Sequence, residues 1–314
     1  MQAGAPDSRR CIVCDRAEPF PTFYERGEFR LVRCPGCSLV FQHPQPSRAA
    51  MARLYYHDEE FTRMLEGELR PTTVALAESK FELLAGAGVH PPGSALDVGA
   101  STGAWVQRAA QAGWDAVGVE LGDASASAAR ARGLDVRTGT LEQAAPALAG
   151  RRFDLITFWD VLEHVPDPLA ELERAGAMLA DGGVLAVTLP NVDGWYPRVT
   201  RQLLARRTGV WEYPELPAHL FDFAPSTLRA LTARAGLVVQ RIHTVPTPFT
   251  YYRATSLHYQ LAGRGVRGRA LRVAFELLRA GAYPAARAFD RSNSLFATFT
   301  AAAGSPPTAR PDAV

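Results

Sequence analysis

The sequence predicts an α/β protein with a mostly parallel β-sheet, preceded by a small cysteine-rich ribbon. From residue 94 onward, five short apolar runs alternate with helical stretches. This alternation is typical of parallel strands joined by right-handed helical crossovers. The first 40 residues instead contain two matched Cys-x-x-Cys pairs. A glycine-containing turn after the first apolar run adds a candidate ligand site at the carboxyl edge of the sheet.

The composition is that of an ordinary globular chain and excludes several classes of protein. Of 314 residues, 47% are hydrophobic and 21% are charged, which rules out a mostly disordered chain, a collagen-like repeat and a coiled coil. The net charge of +2 gives no argument for nucleic-acid binding. No run reaches the roughly 18–20 apolar residues of a membrane-spanning helix. Because the first 30 residues also lack the apolar core of a secretory signal, we expect a cytoplasmic protein.

The cysteines predict a structural zinc site. All four lie in two Cys-x-x-Cys pairs with 19 residues between them: Cys11, Cys14, Cys34 and Cys37. Two such pairs supply the four tetrahedral thiolate ligands that zinc prefers. Residues 23–32, between the pairs, are typical of two short strands that turn at Arg26-Gly27. Two disulfides are the alternative, which the absence of a secretory signal disfavours; a redox pair would not explain two matched pairs.

The strands and helices of the larger part follow from the apolar runs and turn residues. The first five strands are predicted over residues 94–98, 116–120, 134–137, 153–158 and 183–189. Helices are predicted between and after them, over 103–112, 124–132, 141–149 and 168–179. A sixth strand is predicted over 237–245 and a last one over 295–300.

Composition shifts divide the chain into four parts. They are a zinc ribbon over residues 1–48, a helical linker or cap over 49–92, the α/β core over 93–303, and a disordered Pro/Ala-rich tail over 304–314. Two insertions interrupt the core, at 192–216 and 246–293. In the helical cap, Tyr55, Tyr56 and His57 are candidates to fold over a pocket of the core.

The turn after the first strand predicts a site for an adenosine-containing cofactor. Gly99 and Gly103 let a ligand approach the backbone and let the next helix begin tightly. Glu120 ends the second strand, 21 residues after Gly99, where a carboxylate accepts both hydroxyls of a ribose. Compared with a dinucleotide fingerprint, Ser101 replaces the second glycine and Ala104 the third, which disfavours a nicotinamide cofactor.

Several stretches together resemble the class I S-adenosylmethionine-dependent methyltransferases. Residues 96–103 are similar to the first motif of that family, 153–168 to its fourth motif, 182–191 to its fifth strand and 217–236 to the stretch before its sixth. They cover about residues 94–245 in the family's order. The resemblance implies a Rossmann-like methyltransferase core with a mostly parallel seven-stranded sheet and S-adenosylmethionine as cofactor. A zinc ribbon ahead of such a core recurs in a bacterial subgroup that includes sugar C-methyltransferases.

The resemblance also implies roles for individual residues. The cofactor-binding residues that it indicates are Asp97, Gly99, Ala100, Gly103, Glu120, Leu121, Leu141, Phe158 and Trp159. Asp97 orders the loop, Glu120 binds the ribose hydroxyls, and Leu121 packs on the adenine. Two alternatives stay open, namely plain core packing for Leu141 and a merely solvated acid at position 120. Ser101 departs from the family pattern, since many members have glycine there.

Methyl transfer to a hydroxyl or to an acidic carbon needs a base, and three residues are candidates. His164 and Asp160 follow the fourth strand, and His219 follows the first insertion. His219 is the first choice, because it lies after the insertion and before the helix that leads into the sixth strand. A purely structural role for either histidine stays open. Glu163 is interpreted as a structural residue at a helix start, outside the site.

The two insertions are candidates for substrate or membrane contact. Residues 192–216 combine Trp195, Tyr196, Trp211 and Tyr213 with four arginines, which suits a sugar ring or flat aglycone beside an anionic or nucleotide-linked group. Residues 251–291 hold eight arginines against two acids, a composition that suits an anionic membrane surface or phosphate. For both segments the alternative is a packed helix with a solvated basic face.

Three functions are compatible with these observations. The first is methyl transfer to a small molecule, most plausibly O- or C-methylation of a sugar or secondary-metabolite intermediate. The second is a nucleic-acid methyltransferase that uses the ribbon as a reader, which the weakly charged ribbon disfavours. The third is a non-catalytic cofactor-binding protein, which the intact glycine loop and Glu120 disfavour.

Overall fold

The protein was analysed as a computed structural model that describes residues 10–46, 71–211, 213–246 and 265–302. Three sequence predictions lie outside these ranges. They are the cap residues Tyr55, Tyr56 and His57, the first part of the second insertion (247–264) and the tail over 304–314.

A seven-stranded sheet forms the centre of the molecule, as predicted. Its strands are β4 (Gly93–Val98), β5 (Trp114–Glu120), β6 (Val136–Thr138), β7 (Phe153–Trp159), β8 (Leu179–Pro190), β10 (Leu237–Val245) and β11 (Ser294–Ala301). Their order across the sheet is β10-β11-β8-β7-β4-β5-β6. Six strands run in one direction, and β11 runs antiparallel to both of its neighbours. The Rossmann-like α/β fold predicted from sequence is therefore confirmed.

Helices cover both faces of this sheet. They are α1 (Pro71–Gly86), α2 (Ala104–Ala112), α3 (Asp123–Ala131), α4 (Leu141–Ala144, continued by a 3₁₀ turn over Ala145–Leu148), α5 (Pro168–Met178) and α8 (Pro225–Arg234). Local chemistry sets their ends. Thr140 and Gln143 form a capping box at the start of α4, and the Asp167 carboxylate caps α5 through the Ala170 N–H at 3.0 Å.

The central strand β7 is buried along almost its whole length, because helices lie above and below it. Six of its seven residues are buried, as expected for a parallel strand covered on both faces. Leu96 and Val98 of β4 lie in the same hydrophobic core as Ile156 and Phe158 of β7. Tight packing on both faces leaves the carboxyl ends of the strands as the place where functional side chains gather.

The cysteine-rich ribbon is built into the core rather than attached to it. Its sheet has the order β1-β2-β3-β9, in which β1 (Thr22–Arg26), β2 (Phe29–Arg33) and β3 (Val40–Gln42) come from the ribbon and β9 (Phe221–Asp222) comes from the core. Phe41 pairs with Phe221 in the register of β3 and β9. Ribbon residues such as Val32 and Leu39 share one hydrophobic core with the large sheet.

The first insertion packs against the ribbon. It forms α6 (Trp195–Thr200), a π-helical turn (Arg201–Ala205) and α7 (Arg206–Thr208). Trp211 is fully buried, with its ring centroid 5.3 Å from that of Tyr24. Tyr196 and Tyr213 are also buried. Of the two interpretations of this insertion, the packed one holds for these three residues, because they bury their rings against the ribbon and the core.

The described end of the second insertion is the long helix α9 (Gly265–Ala288), which packs on α6. Phe275 of α9 is buried in one cluster with Tyr196 and Val210. The opposite face exposes Val266, Val273 and Leu277 beside its arginines. None of the helices in the described ranges is long and apolar enough to span a bilayer.

The shared core predicts that ribbon and sheet unfold together. Phe41 is 3% exposed, and Phe41→Ala should lower the stability of the whole chain by about 3–5 kcal/mol in one calorimetric transition. Val238→Ala on β10 is the control, because Val238 is 46% exposed and its truncation should change stability little. Two separate transitions, with only the smaller one shifted by Phe41→Ala, would contradict the shared core.

Candidate functional site

The loop after β4 adopts a backbone conformation that favours glycine at two of its positions. Gly99 and Gly103 have φ angles of 78° and 80°. A Cβ atom on Gly99 would overlap the side chain of Val161, just after β7, and one on Gly103 would lie 2.7 Å from Leu134. Ser101 between them also has a positive φ of 50°, a conformation in which glycine is less strained than serine. The departure at Ser101 therefore falls where the backbone itself favours glycine.

Glu120 ties this loop to the next strand end. One of its carboxylate oxygens accepts the Ser101 N–H at 2.8 Å and the other accepts the Gly122 N–H at 2.6 Å. A carboxylate has about four acceptor sites, so each oxygen can accept more than one hydrogen bond. Leu121 beside it is 52% exposed. An acceptor carboxylate next to an exposed apolar side chain suits a ribose with an attached base.

Asp97 lies beneath the loop and is 2% exposed. The hydroxyl of Thr157 on β7 donates to its carboxylate at 2.7 Å. Burial raises the pKa of Asp97 to about 7, and the nearby charge of Glu120 adds to this, while the Thr157 hydrogen bond and Lys80 act in the opposite direction. The group thus titrates near neutral pH instead of near pH 4.

Lys80 lies beside two of the predicted site residues, although no sequence motif includes it. From α1 its ammonium group lies 3.7 Å from the Asp160 carboxylate and 5.3 Å from the centre of the Trp159 ring. Both partners are at the carboxyl end of β7. The available signal was that Lys80 is the only lysine among 34 basic residues. The other 33 basic residues are arginine.

The two predicted histidines lie against each other. The ring centroids of His164 and His219 are 4.7 Å apart. The Nδ1 atom of His164 lies 3.1 Å from the Ala218 carbonyl oxygen, and Nε2 of His219 lies 3.5 Å from the Glu215 carboxylate. Burial lowers the pKa of His164 to about 4 and that of His219 to about 3. Both rings are therefore neutral at pH 7.

Three acidic residues surround the histidine pair. Glu163 and Asp222 are each 1% exposed, and none of their carboxylate oxygens has a hydrogen-bond partner within the described ranges. Burial raises the pKa of Glu163 well above its usual value and that of Asp222 to about 7. Burial likewise raises the pKa of Glu215, which lies beside His219. The interpretation of Glu163 as a helix-start residue is wrong, because α5 begins at Pro168 with Asp167 as its cap.

Backbone hydrogen bonds hold the two halves of this cluster together. The N–H groups of Leu220 and Phe221 both donate to the Glu163 carbonyl oxygen, at 2.8 and 3.2 Å. The loop carrying His219 is thereby fixed to the end of β7 that carries His164 and Asp160. The sequence alone does not show this contact, because His164 and Ala218 are 54 positions apart along the chain.

The other predicted residues divide between the site and the core. Trp159 is 7% exposed and packs on Trp105 with ring centroids 5.9 Å apart. Leu141 is 1% and Phe158 0% exposed, and both belong to the main hydrophobic core. Ala100 is 5% exposed and packs in a smaller cluster between α2 and α3. Glu120 and Leu121 are the predicted residues that present side-chain surface at the loop.

The four cysteine sulfur atoms form one cluster. Each lies within 4.8 Å of all the others, and the Sγ atoms of Cys11 and Cys37, like those of Cys14 and Cys34, are 3.4 Å apart. A disulfide requires about 2.05 Å, so the thiols are free. Sulfur atoms bound at about 2.3 Å to one zinc ion lie roughly 3.8 Å from each other, which this cluster fits.

Comparison with known proteins identifies the family. Residues 72–242 match the family model described as a methyltransferase domain. The chain belongs to this methyltransferase family. The class I S-adenosylmethionine-dependent enzyme predicted from sequence is therefore confirmed.

Curated relatives of this methyltransferase share its central part. A ubiquinone biosynthesis O-methyltransferase of Pseudomonas aeruginosa (strain UCBPP-PA14) is 30% identical over 177 residues, which is 53% of this chain and 72% of the relative. A second one, from Bordetella avium, is 29% identical over 182 residues, which is 54% of this chain and 74% of the relative.

Solved structures agree in fold alone. Magnesium protoporphyrin IX methyltransferase of Synechocystis PCC 6803, with bound SAH, has 13% identity and a TM-score of 0.51, and the match covers 81% of this chain and 100% of that one. The cyclase SpnF has 17% identity and a TM-score of 0.52, with 83% and 99% covered.

The buried Asp97 predicts a pH-dependent stability of the cofactor-free protein. Its folded pKa lies above the unfolded value of 3.8, so the folded chain holds a proton that the unfolded chain loses, and stability falls as pH rises toward 7. Asp97→Asn should remove this loss. The melting temperature of Asp97→Asn relative to that of the wild type should therefore rise from pH 5 to pH 8. The rise should correspond to about 2–3 kcal/mol in the free energy of unfolding.

The control for this experiment is Asp115→Asn, since the Asp115 side chain is 75% exposed. It should show no such pH-dependent gain. An equal difference between Asp97→Asn and wild type at both pH values would mean that Asp97 is ionised throughout the range.

Proposed function

We propose that this methyltransferase transfers a methyl group from S-adenosylmethionine to an oxygen of a small molecule, beside the His164–His219 pair. The observation that carries the proposal is the contact of these two neutral rings at the carboxyl end of β7, the strand next to the cofactor loop. The relatives in ubiquinone biosynthesis are named O-methyltransferases, which favours oxygen over carbon as the acceptor atom.

The residues around the β4 loop fit the cofactor. Glu120 has acceptor capacity for the ribose hydroxyls, and the exposed Leu121 offers an apolar surface for the adenine. Gly99, Ala100 and Gly103 would surround the methionine end, with Asp97 ordering the loop from below. Trp159 and Phe158 would bound the site from β7, and Leu141 would support it from within the core.

The histidine pair supplies the proton chemistry of this proposal. When bound, S-adenosylmethionine supplies an activated sulfonium methyl group. His219 accepts the proton of the acceptor hydroxyl, because its ring is neutral and its Nδ1 atom has no partner among the residues that the structure describes. Glu215, 3.5 Å from Nε2, stabilises the imidazolium that forms. His164 and Asp160 fix the position of the acceptor on the same side.

Charge near the first insertion supports an acceptor with an anionic or nucleotide-linked group. Arg33 and Arg201 lie over the ring of Phe23, at 5.1 and 4.3 Å. Burial lowers the pKa of Arg201, the like charges of Arg206 and Arg33 add to this, and Asp193 acts in the opposite direction. A cavity of about 400 Å³ is lined here by Arg201 and Arg206 together with Glu25. A sugar or secondary-metabolite intermediate with such a group fits this surface.

The cysteine cluster is proposed to hold one structural zinc ion. Four thiolates at this spacing leave no open coordination position for substrate. The ion would fix the ends of β2 and β3, and thereby the strand pair β3–β9 that leads to His219.

Glu120 is predicted to contribute to cofactor affinity. Glu120→Ala should weaken S-adenosylmethionine binding by roughly 10- to 100-fold, because two charge-assisted hydrogen bonds are worth about 1.5–3 kcal/mol. Isothermal titration calorimetry measures this, with Glu142→Ala as control, since that glutamate pairs only at the surface with Arg174. Unchanged affinity in Glu120→Ala would remove Glu120 from the cofactor site.

His219 is predicted to act on the acceptor and not on the cofactor. His219→Ala should lower kcat by about 10²-fold or more, with cofactor affinity nearly unchanged. His90→Ala is the matched control, because His90 is exposed at the opposite end of the sheet, before β4. If His219→Ala keeps full turnover while His164→Ala loses it, the base is His164.

A further inference from the structure

We propose that Glu163, His164 and His219 form a second metal site, for a divalent transition-metal cation. One ligand atom from each of the three residues lies within 4.8 Å of the other two. Two imidazoles and one carboxylate are a donor set that binds zinc, iron and manganese in enzymes. The site rests on the proposed methyl transfer and changes one step of it, because with an ion bound His219 is a ligand and no longer the base.

Glu163 gives the first argument. Its side chain is 1% exposed, and both of its oxygens are without a hydrogen-bond partner in the part of the chain that is described. A buried carboxyl group in that state is unfavourable unless a donor or a cation meets it, and a bound cation would keep it ionised. Asp222 is equally buried and unpartnered, so two acids lie in this region without a described hydrogen-bond donor. A divalent ion would offset this negative charge.

The histidines are oriented as metal ligands commonly are. A ring nitrogen of a metal-bound histidine usually donates to a carbonyl or carboxylate, which fixes the ring and leaves the other nitrogen for the metal. Nδ1 of His164 lies 3.1 Å from the Ala218 carbonyl oxygen, and Nε2 of His219 lies 3.5 Å from the Glu215 carboxylate. This arrangement assigns Nε2 of His164 and Nδ1 of His219 to the ion.

Three protein ligands leave positions open for an acceptor oxygen, unlike the four-cysteine cluster. A cation bound there would ligate the acceptor hydroxyl and lower its pKa, so that its proton passes to water and the oxygen enters the transfer as an oxyanion. His219 then serves as a ligand, with Glu215 holding its ring. The donor set would select an acceptor that has oxygen atoms able to bind a metal.

The test is a metal count on the full-length protein. Protein exposed to excess ZnCl₂ and passed through gel filtration should hold two zinc ions per chain by elemental analysis. Glu163→Gln should hold one, because the amide loses the charged ligand. Cys11→Ser with Cys14→Ser should also lose one, from the ribbon. His90→Ala should keep two. Wild-type protein with a single zinc ion, or Glu163→Gln that retains both, would overturn the second site.

Two further measurements separate loss of the second metal from misfolding, and neither depends on the proposed methyl transfer. Glu163→Gln should retain S-adenosylmethionine affinity within about threefold, which shows that the core is intact. In wild-type protein loaded with cobalt, the second equivalent should add visible bands without thiolate charge-transfer absorption. If only thiolate-type absorption develops, the second site is absent. Neither measurement needs the acceptor, so a missing second metal would leave the kinetic test of His219 unaffected.

Discussion

The pairing of residues 220–223 with two sheets is the constraint on which the candidate site depends. Phe221 and Asp222 extend the ribbon sheet as β9, Phe223 bridges to Asn191 at the end of β8, and two N–H groups of the segment bind the Glu163 carbonyl oxygen. A short stretch with so many fixed backbone groups has little freedom. Because His219 directly precedes it, the ribbon, the large sheet and the end of β7 together set the position of that ring.

Much of the fold could be predicted because it follows from local patterns. The strand predicted over 237–245 is observed with the same bounds, and the helix predicted from Pro168 begins there behind an aspartate cap. Periodicity, glycines and caps act over a few residues, so a single sequence contains them. The glycine loop and Glu120 could be placed for the same reason, since each follows directly from the end of a strand.

The features that could not be predicted from the sequence depend on contacts between distant segments. No local sequence pattern indicates that Glu163 is buried against the segment after Ala218. Likewise, none indicates that Phe41 pairs with Phe221, which lies 180 positions further along the chain. For the same reason the sequence leaves both substrate contact and packing open for Trp211, because an aromatic ring in a long connection gives no sign of what covers it. It is covered by Tyr24 of the ribbon. Long-range pairing and burial, which a single sequence does not show, decide these positions.

Because the sequence contains a single lysine, amine-directed reagents can modify the chain at very few positions. Reagents such as succinimidyl esters modify primary amines, and Lys80 is the only side chain of that kind in the sequence. Its side chain is 19% exposed, and its ammonium group lies between Asp160 and the Trp159 ring. A label attached under mild conditions would therefore be confined to the α-amino group and to one point at the edge of the sheet. Spectroscopic probes could thus report on that edge without mutagenesis.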